Sequence, residues 1–273
     1  VVQSSPIPHY DAFELSATGE LMDFTGQTSA DFNVRVFLGN EEGFELRNIV
    51  GEKNNVNTTF QDISQVDGVQ VLPTEGNPEE WEIVSTSTDD ANGGSGTETV
   101  LISFLGDGWT EETPVIATVT GTTPILIPGG ANKFRGVSAV ILTPDGGCNV
   151  GDLIIRVSSG GAERMKIMAA EGVSKAAFYS TPVGKTAFGQ FLIGLTAKNQ
   201  DIEMRLMSQV DGGPEIIGGV LPSYQGFVAF PIIAPFTLSE KTDVRFQVKS
   251  TNTAVTVTAF LDLLIVDNSK IAS

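Results

Sequence analysis

The chain has 273 residues, 41% hydrophobic and 18% charged, with a formal net charge of −17, enough apolar content to fold around a core without metal or disulfide staples. Its one cysteine, Cys148, excludes an internal disulfide, and the acid excess argues against nucleic acid, whose phosphates need clustered Lys and Arg. No apolar run approaches the length of a membrane helix, and no charged-then-apolar leader opens the sequence, so neither a membrane span nor a secretory signal is expected.

The charge divides almost at one residue. Residues 1–112 hold 21 Asp and Glu against Arg35, Arg47 and Lys53, whereas residues 113–273 hold 12 acids against 13 bases. Residues 1–80 are therefore expected to form an irregular, acidic, partly β docking region, with few strand patterns before residue 30. Within it, Phe32, Val34, Val36 and Leu38 alternate with polar neighbours and predict a strand, while Asn54–Phe60 and Pro73–Glu80 read as loops. A docking contact made by charge would release in high salt.

Trp81 opens a clear strand, and residues 81–160 are expected to form a β-domain. Val137–Leu142 and Leu153–Val157 are continuous apolar runs, suited to strands covered on both faces. Between the strands lie turn clusters at Gly93–Gly96, Pro128–Gly130, Pro144–Gly147, Ser159–Gly161 and Asp211–Pro214. Ala162–Ala176 has good helix formers. Met165, Ile167 and Ala169 nevertheless alternate, and Gly172 interrupts the stretch, which reads as a strand and a loop. Residues 161–273 then continue as a β-sandwich. Phe191–Leu195 is a buried run. Ile202, Met204 and Leu206, then Val244, Phe246 and Val248, then Val255, Val257, Ala259 and Leu261 mark half-buried strands, with Arg245, Gln247 and Lys249 on a polar face. The fold class is all-β: antiparallel β-sandwich or jelly-roll domains behind an irregular acidic N-terminal region.

Catalytic chemistry is thin. His9 is the single histidine, in a Pro-flanked segment outside the predicted body, and Cys148 has no histidine to activate it. Gly184-Lys185-Thr186 lacks the upstream glycine of a phosphate loop and leads into a strand. Glu79, Glu80 and Glu82, Asp89 and Asp90, and Glu111 and Glu112 are candidate carboxylate pairs for glycoside hydrolysis. Adjacent acids in turns are normally solvated, and two Trp and three Tyr furnish few platforms for a sugar. Ser87–Gly96 offers oxygens to a hard cation, but without the spacing of an EF-hand loop, and reads as a Gly-rich hairpin. No catalytic, cofactor-binding or metal-binding residue is assigned, and no cofactor is expected.

Three segments taken together resemble a family of structural proteins of tailed bacteriophages, those of marine and cyanobacterial phages in particular. They are WEIVSTSTDDANGGSGTETVLISFLGDGWTEETPVIATVTGTTPI at residues 81–125, TPVGKTAFGQFLIGL at 181–195, and LSEKTDVRFQV at 238–248 followed by FLDLLIVDN at 260–268. Their order and spacing carry the match, and residues 1–78 lie outside it. Thr97-Glu98 stands where the family has a basic residue. The resemblance implies a non-enzymatic virion component, made in the bacterial cytoplasm and assembled as a homo-oligomer, a trimer being the expectation, on other virion proteins such as major capsid or tail proteins. Capsid decoration or head fibre is the first expectation. A tail, neck or fibre component, or a carbohydrate-binding module contacting host glycans, is the alternative. Trp109, Tyr179 and Tyr224 exposed on one flat face would favour the module. Phe227, Phe230 and Ile232–Ile233 are expected near a subunit interface.

Overall fold

In the computed structural model, residues 13–15, 21–23, 32, 35–142, 148–196, 201–223, 227–231, 236–251 and 255–271 are described. All sheets are antiparallel. A short hairpin pairs β1 (Phe13–Leu15) with β2 (Leu21–Asp23). Then come β3 (Phe44–Val56), β4 (Gln61–Asp62), β5 (Trp81–Ser85), β6 (Thr99–Gly106), β7 (Val115–Thr118), β8 (Ile125–Leu126), β9 (Lys133–Ile141), β10 (Leu153–Val157) and β11 (Glu163–Ile167). The C-terminal run is β12 (Phe178–Ser180), β13 (Lys185–Thr196), β14 (Ile202–Val210), β15 (Ile216–Ser223), β16 (Phe227–Pro231), β17 (Thr237–Leu238), β18 (Thr242–Ser250) and β19 (Val255–Asp267).

Four larger sheets result, with orders β11-β10-β5-β8, β7-β6-β9, β12-β18-β14-β15 (β4 also on β18) and β16-β13-β19-β3 (β17 also on β13). Counted as sheets they make a four-bladed, propeller-like arrangement. Their cores join them in two pairs. Trp81, Ile83, Leu153, Ile155 and Ile167 of one sheet meet Val100, Ile102, Phe104 and Ala139 of the next. Tyr179, Met204, Val244, Phe246 and Val248 likewise meet Ala187, Leu192, Val257, Leu261 and Ile265. Each fully buried Val, Leu, Ile or Phe contributes about 1.5–3 kcal/mol, which makes these two layers the main source of stability.

The period-two patterns of β14, β18 and β19 land where the sequence places them. β19 alternates strictly, with Val255, Val257, Ala259, Leu261, Leu263 and Ile265 inward, and Ala162–Ala176 is a strand, β11, followed by a loop. Several expectations need correction. Arg35–Phe37 is helical, not strand, because the segment closes local bonds, Gly39 N–H to Val36 O and Asn40 N–H to Arg35 O. Val137 and Val140 in β9 are more than a third exposed, so that run is covered on one face only. Arg245 and Gln247, expected on a solvated face of β18, are buried, because residues 62–73 cross over it: Arg245 Nη1 donates to Gln70 O at 2.8 Å and Gln247 Nε2 to Asp62 Oδ1 at 2.8 Å.

One of the two cores is built from strands that are not contiguous in the sequence. β3 pairs along its length with β19, about 200 residues later, while β11 folds back on β10. Residues 81–167 thus form one body whose sequence lies between strands of the other, and residues 63–80 and 168–177 carry the chain across. The expected turn at Pro144–Gly147 and the segment Ile232–Ile233 lie outside the described residues, as do His9 and Tyr224; of the side chains of Phe227 and Phe230, nothing is described.

Candidate functional site

Most of the candidate carboxylates are engaged by the chain's own donors. Glu79 is bound by Arg164 and by Trp81 Nε1 at 2.9 Å. Glu82 takes Arg156 Nε at 2.7 Å and the backbone N–H groups of Ser159 and Gly160 at 3.0 Å each. Burial pushes the pKa of Glu82 up, but Arg156 and the two N–H groups outweigh it and hold the carboxyl below its usual range. Glu111 pairs with Lys185 at 2.6 Å, and Glu112 accepts from Thr110 Oγ1 at 3.0 Å. Asp89 lies in an exposed loop position.

Asp90 organises the loop at Ser87–Gly96. It is fully buried; Oδ1 accepts from Thr97 N–H at 3.0 Å and Val150 N–H at 2.8 Å, and Oδ2 accepts from Ser85 Oγ at 2.5 Å and Gly151 N–H at 2.9 Å. Four donors aimed at one carboxylate fill the positions a cation would need. The loop is a strut between β5 and the start of β10. Gly96 is required there, since a Cβ on it would lie 2.0 Å from Asp90 Oδ1. Among the described residues no group of three or more His, Cys, Asp or Glu could hold a metal ion. Cys148 is exposed, and Gly184, at φ +77°, turns the chain into β13.

The aromatic side chains do not form an open platform. Trp81 and Trp109 are fully buried and Tyr179 nearly so, its phenol made harder to ionise by burial. Trp109 sits edge-on to Phe134, ring centroids 5.4 Å apart, and Arg135 stacks on both, 4.6 and 4.0 Å from their centroids. This cluster marks the seam between the two bodies. Arg135 in β9 reaches Asp243 in β18 through Nε at 3.1 Å to both oxygens and Nη2 at 2.9 Å, and its Nη1 donates to Pro73 O at 2.7 Å. Ser180 Oγ also donates to Asp243. Burial raises the Asp243 carboxyl above its usual range, against the pull of Arg135 and Ser180. Nothing in the local sequence marks Arg135 or Asp243 as partners.

Beside this pair opens a cleft of about 330 Å³ lined by Ile49, Leu72, Phe134, Val137, Met165 and Val173 among others, with Arg164 and Lys175 at its wall. Both cations are committed, Arg164 to Glu79 and Lys175 to Glu52 and Glu171.

The ion pairs also dispose of much of the charge asymmetry. Glu52, Asp62, Glu75, Glu79, Glu82 and Glu111, all from the acidic stretch, pair with Lys175, Arg245, Lys241, Arg164, Arg156 and Lys185, all from the remainder. A good part of the basic partner that the acidic segment requires is the rest of the same chain.

No family model matches this sequence, and no curated protein matches it. Among solved structures it is similar to the infectious bursal disease virus VP2 subviral particle, with 9% identity and a TM-score of 0.24, covering 84% of this chain and 74% of that one. It is also similar to the PBSX exported protein XepA, with 10% identity and a TM-score of 0.19, covering 80% of this chain and 86% of that one. Likeness at this level establishes neither a family nor a function. No helix among the described residues is long and apolar enough to cross a membrane.

Proposed function

We propose that the chain is a non-enzymatic structural protein of a tailed-phage particle, a capsid decoration or head-fibre component that assembles with copies of itself and packs on other virion proteins. The observation that carries this reading is the strand order of the larger pair of sheets. Numbered along the chain as one to eight, β3, β12, β13, β14, β15, β16, β18 and β19 stand in the orders 6-3-8-1 and 2-7-4-5. We read that order as a jelly roll, two Greek keys closed over one core, an architecture recurrent in viral capsid and lectin domains. Residues 81–167 are inserted between the first and second strands of that roll.

A jelly roll alone does not distinguish a capsid component from a lectin. The buried state of Trp81, Trp109 and Tyr179 favours the former, because a sugar platform needs exposed rings. The engagement of Glu79, Glu82 and Glu111 by Arg and Lys supports a role without hydrolysis. The test is to image purified particles carrying a gold-labelled tag on this chain. Label at regular positions over the head is the expected result. Label confined to the tail or neck moves the protein to that part of the virion, and particles devoid of the chain overturn the proposal.

A further inference from the structure

β15 is the last strand of its sheet: β14 is hydrogen-bonded along one side and, among the described residues, no strand along the other. Natural edges are blunted with charge, proline or a bulge. This one, Ile-Ile-Gly-Gly-Val-Leu-Pro-Ser, has a bulge at Gly218 and a proline near its end but carries no charge, in a chain of net charge −17. Ile216, Ile217 and Val220 are 56%, 53% and 49% exposed.

Two glycines occupy the middle of the strand, and among the described residues only Gly218 has an evident internal reason. The register slips between Leu206↔Gly219 and Met207↔Ile217, which makes Gly218 the extra residue of a bulge. Gly219 is not in the left-handed region, and a Cβ built on it meets no atom of the described residues within 4 Å. A glycine inside a strand weakens it and marks special backbone geometry or a close approach by another group. Gly219 borders that bulge, and among the described residues nothing closes on it, which leaves room there for a second backbone.

We propose that this edge is a twofold contact between two copies of the chain. The segment is self-complementary about the point between Gly218 and Gly219. An antiparallel pairing centred there sets Ile217 against Val220, Ile216 against Leu221, and Glu215 against Pro222, so that no carboxylate faces another. The glycines meet at the axis, where two backbones come closest. An isologous contact requires such a patch, since one surface must serve both subunits. Glu215, the one acid at the border, is already bound by Arg245. Pro222 has no N–H to give and Gly218 bends the strand, so the main-chain ladder is short and the apolar side chains supply most of the contact. Its area falls below the roughly 1,200 Å² of standard interfaces. It is therefore weak alone and effective when many copies are held together on one assembly.

The inference rests on the self-assembly element of the proposed function and is independent of the virion element. Sedimentation of the full chain over a concentration series tests it, with Ile217→Lys and Gly219→Val as edge variants and Ile116→Lys, equally exposed on β7, as control. The wild type is expected to self-associate reversibly, with both edge variants raising the dissociation constant at least about tenfold and the control leaving it unchanged. Gly219→Val adds a strand-favouring residue in open space, so its melting temperature should not fall, and it remains informative should Ile217→Lys fold poorly. Self-association that survives both edge variants overturns the edge contact while leaving self-assembly in place. A monomer at every concentration overturns both.

Discussion

Asp90 shows how much of a loop one buried side chain can hold. Its four donors come from Ser85, Thr97, Val150 and Gly151, three separate stretches of chain. Asp90→Ala removes the acceptor and leaves those donors buried, so unfolding in urea should show a loss of about 3 kcal/mol or more. Glu82 supplies a pH dependence of definite sign. Its folded carboxyl titrates below the 4.5 of the unfolded chain, so between the two values the unfolded state binds more protons. The stabilisation is complete above about pH 4.5 and is lost as pH falls through the folded value. Glu82→Gln should flatten the stability profile in that acid window while lowering stability at neutral pH. Denaturant midpoints measured from pH 3 to 7, about the range where carboxylates titrate, check both effects.

At the scale of elements, the strands were legible and their company was not. Alternation in β14 and β19 marks their inward faces because a half-buried strand has no other way to arrange its side chains. The same alternation at Phe32–Leu38 misleads, since pattern selects a strand only where a sheet edge is there to receive it. Arg245 and Gln247 read as a polar face, and the crossing at residues 62–73 that covers them is a tertiary event with no local trace. That the strands before residue 80 and after residue 167 share one core is likewise without local trace. Sequence reading assumes contiguous domains, whereas β3 belongs with β19. Gly51 is where this non-local packing becomes testable. A Cβ on Gly51 would lie 2.2 Å from Ala177 N and 2.5 Å from Ile63 O. Those two atoms are hydrogen-bonded to each other at 2.8 Å, and Ile63 N–H and Phe246 O are bonded at 2.8 Å, so β3 lies beneath a knot of three segments. Gly51→Ala must push the knot off the strand. A loss of about 3 kcal/mol is expected by denaturant unfolding, where an exposed glycine-to-alanine change would be neutral or stabilising.

For the whole molecule the question is what makes two cores one protein. Two chain crossings would permit relative motion; the seam opposes it. Arg135 and Asp243 are 3% and 5% exposed, bonded through three N–H contacts and walled by Trp109 and Phe134. Lys185–Glu111 and the bond from Val183 N–H to Trp109 O at 3.0 Å flank them. A buried pair need not add net stability over an apolar substitute, but removing one partner strands the other charge, at a cost of about 3–5 kcal/mol. Arg135→Met should therefore destabilise the protein by that amount, and Asp243→Ala combined with it should recover part of the loss, because no lone charge then remains. If the seam couples the bodies, calorimetry of the wild type gives one transition, and the single variant separates it into two as each core melts for itself. High salt should leave the wild-type transition single, since screening reaches the exposed Lys241–Glu75 pair and not a dehydrated one. Two wild-type transitions at low salt would mean that the bodies are tethered by the crossings alone, and the charge pairing between the acidic stretch and the rest of the chain would then be an exposed surface effect with no part in joining them.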